Sequence, residues 1–238
     1  MIIRRLGSTE QLITQPDHAA LAAGIMRQWR AGQLDRSPRR DSILHAVDQH
    51  DNGWAEVDEE LVVDAQTGRL LDFVEVPDSV KRLTSSRGIE RLAADPYAAA
   101  LVAQHRLHVY RRFADNPEWA SFFVDVAAAR DTYLRAAGGI PLDQLLDDYT
   151  FVRAGDLASL AFCNKWPSVD ADDCGYAMRL EGATLSVIPD PFAGELVEIE
   201  IDAREIQRVC FASAEEARRE VASAPTITIA GVVRGAAV

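Results

Sequence analysis

The sequence predicts a mainly α protein, a bundle of at least five helices over residues 1–165 followed by a small α+β appendage, rich in strand, over 166–238. Three observations predict it. Apolar residues recur at helical spacing through most of the first part. Pro16, Pro38, Pro96, Pro117 and Pro141 each stand where a helix can begin. Near Trp166 the pattern changes from helical to alternating.

Residues 1–14 carry β-branched side chains around a Gly-Ser-Thr turn, which suits a short hairpin. From Pro16 to Trp29 the stripe Ala19, Ala22, Ala23, Met26 predicts a helix. After the loop AGQLDRSP, the Ser37, Pro38 and Asp41 signals start a second helix that ends near Gly53. Residues 54–77 lack a period and read as an ordered excursion over the helices. Helices follow over about 78–93, 96–113, 117–137 and 142–164. Strands YAMRL, TLSVI and LVEIEI, a helix over about 214–223 and the strand TITIAGVV complete the chain, giving a sheet drawn mainly from 176–231.

Composition excludes some classes of function. The formal net charge of -12 opposes nucleic acid and anionic membranes as partners. Cys163, Cys174 and Cys210 form no CxxC pair, so a disulfide framework is not expected and a reducing cytoplasm is the simplest setting. No apolar h-region follows the N-terminal charges, and no window reaches the roughly 18 apolar residues of a membrane span. The expected partner is a small-molecule substrate, with homo-oligomerisation left open.

The histidines His18, His45, His50, His105 and His108 all fall in the helical part. A lone histidine on an apolar face is usually a core residue, but several on helices with acids nearby invite a joint reading. The sharpest string is HDNGW at 50–54. Adjacent imidazole and carboxylate groups reach one cation if they end a helix, and Gly53 supplies permissive backbone there. An isolated pair of this kind is more often a cap. Mixed nitrogen and oxygen ligands suit zinc, iron or manganese rather than calcium. Asp156 lies in the apolar run RAGDLASLAFC, where an unpaired carboxylate is costly.

The order His18, then His50-Asp51, then Asp156 across successive helices resembles the HD-domain metalloprotein superfamily. The strings QPDHAALA, HDNGW, DAQTGRLLDF, DPYAAALVAQH and DLASLAFC more closely resemble an uncharacterised bacterial family, a domain of unknown function, over roughly 10–165, with extension into the β tail left open. The resemblance implies an HD-like helical bundle with His18, His50, Asp51 and Asp156 around one metal. His105 fits its pattern as a further ligand or substrate contact. His108 fits it less well, and His45 is structural. Many phosphate-handling HD proteins have lysine after the glycine; Trp54 stands there instead, which argues for a ring-bearing or apolar substrate.

The expected function is therefore a metal-dependent hydrolase of a small molecule, working through a metal-activated water, with one or two divalent ions (Fe, Mn or Zn) per chain. Catalytic candidates are His105, Glu56 as general base, and Asp17, which either holds His18 or the substrate or favours the helix start. Arginines such as Arg87 would hold the substrate. The alternatives are an HD-type di-iron oxygenase, which needs more nitrogen ligands, and a non-catalytic metal-stabilised binding protein, which would close the coordination sphere.

Overall fold

The hairpin forms as expected. Strands β1 (Ile2–Leu6) and β2 (Thr9–Ile13) pair antiparallel around Gly7, whose φ of 61° suits a residue without a Cβ. The computed structural model describes residues 1–171, 173–207 and 210–237. Helices α1 (Gln15–Arg27), α2 (Arg40–Gln49), α3 (Ala55–Glu60), α4 (Asp78–Glu90), α5 (Pro96–Val109), α6 (Ala120–Ala136) and α7 (Leu142–Asn164) follow. The chain then adds β3 (Ser168–Ala171), β4 (Tyr176–Glu181), β5 (Thr184–Ile188), β6 (Leu196–Gln207), α8 (Ala214–Ser223) and β7 (Thr226–Gly235). The helix expected over 96–113 ends earlier, with Arg111–Phe113 as a separate 3-10 turn. The excursion after Trp54 opens with the short α3.

The fold class departs from the expectation. All the strands join one seven-stranded sheet in the order β1-β2-β6-β7-β5-β4-β3. Its β5–β7 pair is parallel and the other pairs are antiparallel. The sheet is curled into a half-barrel and the chain is 52% helical, so this is an α/β fold, neither a helical bundle nor a bundle with a small β appendage. The cause is one long-range pairing. β2 aligns with the far end of β6, Thr9 opposite Gln207, and this carries the N-terminal hairpin into the C-terminal sheet. Local periodicity finds both pieces but does not say that they meet.

Burial explains why the hairpin is held there. Ile2 and Ile13 enter the main core with Leu160 and Phe162 of α7 and Met178, Val187 and Val233 of the sheet. Met1, Ile3 and Leu12 point the other way, into a second cluster with Leu61, Leu70, Ile206 and Phe211. Both faces of the hairpin are thus covered, each buried aliphatic side chain contributing roughly 1.5–3 kcal/mol relative to exposure.

Two glycines set the spacing of the helices. A Cβ on Gly155 of α7 would come 2.8 Å from Met26 of α1 and 3.1 Å from Val47 of α2. Its absence lets α7 close on both helices. A Cβ on Gly53 would come 2.0 Å from the Thr84 carbonyl oxygen, so that glycine admits the backbone of α4. Gly53 lies in a 3-10 turn, Asn52–Trp54, and its role is close approach to α4 rather than the permissive backbone expected from HDNGW. Among the described residues, no helix is long and apolar enough to cross a membrane.

Candidate metal centre

Thr14 caps α1 by accepting from the Asp17 amide, and its hydroxyl donates to Asp17 Oδ2 at 2.6 Å. Asp17 is therefore an exposed capping residue that does not hold His18. The next side chain, His18, turns inward and is fully buried. His50 ends α2, Asp51 follows it, and Asp156 sits two turns from the end of α7. The close approach at Gly155 delivers Asp156 to the two histidines.

The four side chains converge. His18 Nε2 lies 3.1 Å from His50 Nε2, 3.2 Å from Asp51 Oδ2 and 3.8 Å from Asp156 Oδ1. His50 Nε2 lies 3.7 Å from Asp51 Oδ2 and 3.4 Å from Asp156 Oδ1. Ligand atoms about 2.1 Å from a shared ion stand roughly 3.4 Å apart at the corners of a tetrahedron. The observed separations scatter around that edge.

The surroundings fix which atoms face the centre. His50 Nδ1 donates to the Val47 carbonyl at 2.7 Å, so in the neutral ring the lone pair is on Nε2. The Ser159 hydroxyl donates to the Asp156 carbonyl at 3.0 Å and so accepts from His18 Nδ1 at 2.6 Å, which leaves a lone pair on His18 Nε2 too. Two lone pairs thus face each other between two carboxylates. Each carboxylate has its other oxygen occupied: Asp51 Oδ1 accepts from Arg106 at 2.7 Å, and Asp156 Oδ2 from Arg153 at 3.1 Å. With both rings neutral the four groups are all acceptors at van der Waals range or closer, and they repel one another unless a proton or a metal cation lies among them. The residues therefore fit a divalent transition metal, with outer partners of the kind that orient metal ligands.

The electrostatics agree. Burial alone would raise the Asp51 carboxyl, but Arg106 above all, then His50 and His18, hold it well below the usual carboxylate range. At Asp156 burial likewise raises the carboxyl, and the surrounding imidazoles, His50 first, outweigh it and hold it below the usual carboxylate range. At His50 burial opposes the charged form, yet Asp51 and Asp156 raise its proton affinity. The two acids demand positive charge at this point.

His105 on α5 joins from one side. One of its ring nitrogens shares a 4.8 Å donor set with His50 and Asp156. Its Nδ1 is 3.3 Å from the Tyr149 hydroxyl. Burial pushes its pKa well below the ordinary histidine value, so the ring is neutral. Asp51, Asp156 and His105 line a cavity of about 460 Å³, while His18 and His50 are fully buried behind those ligands and do not line it. Trp54, fully buried, forms part of the wall.

The other candidates lie apart from the cluster. Glu56 is ion-paired with Arg87 at 2.8 Å and with Arg91, and neither Glu56 nor Arg87 is among the residues lining the cavity. His45 is bonded to Asp95 at 3.0 Å near the surface, consistent with a structural role. His108 lines the cavity but is in neither donor set. Sequence reading missed Arg106, Arg153 and Ser159. The signal was available: Arg153 and Ser159 stand three residues either side of Asp156 on one helical face, and Arg106 adjoins His105.

Fold and site together define an α/β protein with a buried His/Asp donor cluster opening onto a cavity. The chain matches, over residues 1–208, the family described as "Protein of unknown function (DUF3891)", and it belongs to that family. The match takes in β1 at one end and, at the other, β6 in the tail that the resemblance had left open. No curated protein and no solved structure matches it.

Proposed function

We propose that this protein is a metal-dependent hydrolase of a small molecule, with one divalent transition ion per chain. The observation that supports it is the pair of imidazole lone pairs, 3.1 Å apart, between two carboxylates whose other oxygens are held by arginines. A divalent ion held there would supply an acidified water and a Lewis-acid contact to substrate oxygen. His18, His50, Asp51 and Asp156 bind the ion. Val47, Ser159, Arg106 and Arg153 orient those ligands. His105, neutral and facing the cavity, takes a proton from the attacking water and returns it to the leaving group. The His, His-Asp, Asp order is that of the HD superfamily, and relationship to it is part of the proposal.

The second donor set favours a second reading, a di-iron oxygenase. It contains His50, His105 and Asp156. His50 Nε2 has one lone pair and its Nδ1 is committed to Val47, while Asp156 Oδ2 is committed to Arg153. The two sets have His50 in common, and its single available nitrogen serves one ion, which favours one ion with His105 as base or fifth ligand. Metal analysis of protein purified without chelator tests this. About one Fe, Mn or Zn per chain, with hydrolysis of 4-nitrophenyl acetate and no oxygen uptake, is expected. Two irons per chain with oxygen uptake would select the oxygenase, and no transition metal would end both readings. His105→Ala should keep the metal and lose turnover.

A further inference from the structure

The cavity in front of the cluster is basic, although the whole chain carries a formal net charge of -12. Lys81, Arg106, Arg111, Arg112 and Arg153 line it, and the acids among its lining residues are Asp51 and Asp156. Some of that charge is committed. Lys81 pairs with Asp78 at 3.2 Å, and Arg106 and Arg153 each give one nitrogen to a cluster carboxylate. The Nε atoms of Arg106 and Arg153 remain, both buried and without a hydrogen-bond partner. Arg106 itself is only 2% exposed.

A carboxylate of the protein already rests on one corner of this surface. Asp173, in the turn between β3 and β4, places Oδ2 2.9 Å from His108 Nε2. The same oxygen is 3.6 Å from Arg111 Nη2 and 3.6 Å from Arg153 Nε. Arg111, Arg153 and His108, whose Nε2 also lies against Arg111 Nη1, thus converge on one acid oxygen. The rest of the wall is largely apolar, with Trp54, Phe73, Leu157, Leu160 and Trp166.

We propose that the cavity binds a small carboxylic acid with an apolar or ring-shaped body, and that its carboxylate takes the place of Asp173 on the His108–Arg111–Arg153 corner. The body then lies against the tryptophans and leucines, next to the metal ligands. A carboxylate fits better than a phosphate dianion, because the corner already seats the carboxylate of Asp173, and Lys81 and Arg153 Nη1 are occupied by Asp78 and Asp156. Arg153 links the two sites, with Nη1 on Asp156 and Nε towards the acid. The proposal deepens the hydrolase reading, but the binding it describes needs no turnover.

The test is calorimetric titration of the purified full chain with 3-phenylpropionate, 3-phenylpropanol and phenyl phosphate, with metal content measured on the same samples. The acid should bind at least about ten-fold more tightly than the alcohol and more tightly than phenyl phosphate, as charge-assisted pairing predicts. Arg111→Ala, at a largely exposed position, should weaken the acid about five-fold or more and leave the alcohol unchanged. Asp173→Ala should tighten the acid by removing its internal competitor. Equal affinity for acid and alcohol, tighter phenyl phosphate, no saturable binding of the acid, or a weaker acid in Asp173→Ala would each overturn the proposal. Selective acid binding by a chain without metal would support the corner while refuting the metal reading. Metal-replete protein that does not discriminate acid from alcohol would overturn the corner alone.

Discussion

Asp148 and Asp156 stand on the same helix, α7, and both are buried, at 5% and 3% exposure. Asp148 is fully satisfied by protein: Oδ2 accepts from Arg39 Nε and the Tyr97 hydroxyl, both at 2.6 Å, and Oδ1 from Gln144 Nε2 at 3.3 Å. Asp156 has a protein donor on Oδ2, while Oδ1 faces the lone pairs of two imidazoles. The first arrangement is complete and ties α7 to α2 and α5. The second leaves an acceptor oriented and unquenched, which a fold built only for stability would not retain. Residue type and burial do not separate a structural carboxylate from a ligand; the accounting of donors does.

The largest expected effect breaks that comparison directly. Asp156→Asn should reduce bound metal to a small fraction of the wild-type stoichiometry with the fold intact by circular dichroism. Asp148→Asn should keep full metal content and lose about 2 kcal/mol of stability in urea titration, the size of a lost hydrogen bond to a charged partner. Equal metal loss in both variants would show that Asp156 acts through packing. Metal retained by Asp156→Asn would remove it from the ligand set. Chelation should lower the melting temperature of the wild type and leave that of Asp156→Asn unchanged, since an ion bound only to the native state stabilises by mass action.

The next effect sharpens the comparison at the histidines. Ser159→Ala removes the acceptor that keeps the proton on His18 Nδ1. Loss of such an outer partner costs roughly 10–100-fold in metal affinity. Competition with a metal indicator dye should show a weakening in that range, with Asp148→Asn unchanged. An unchanged affinity would mean that His18 keeps its orientation without Ser159.

Much of this centre was legible in the chain, because its parts are local. His50-Asp51 at a helix end, His18 early on a capped helix and Asp156 in an apolar run are each visible within a dozen residues. The long-range parts were not. That Arg106 holds Asp51 follows from α5 packing against α2, which no local period reports, whereas Arg153, three residues from Asp156 on α7, was within local reach. The fold suffered most. The elements were largely placed, but β2 meets β6 across nearly the whole chain, and without that pairing the hairpin and the tail read as separate pieces. Gly53 was noticed for the wrong reason, since the contact that requires it comes from α4.

The smallest expected effect concerns an acid that sequence adjacency alone brought into the chemistry. Glu56 follows the His-Asp doublet closely, which made it a candidate base. It lies at the surface, held by Arg87 and Arg91. Its own backbone amide first, then Arg91, lower its pKa, and a carboxylate so stabilised is a poor proton acceptor. His105, neutral and on the cavity wall, has the better access. Glu56→Gln should therefore leave metal content, 4-nitrophenyl acetate hydrolysis and its pH profile as in the wild type, because an exposed ion pair contributes little to stability or to a site it does not line. Loss of hydrolysis with metal retained, together with a shifted acid limb, would return Glu56 to the chemistry. It would also require the short helix α3 to move towards the cavity during turnover.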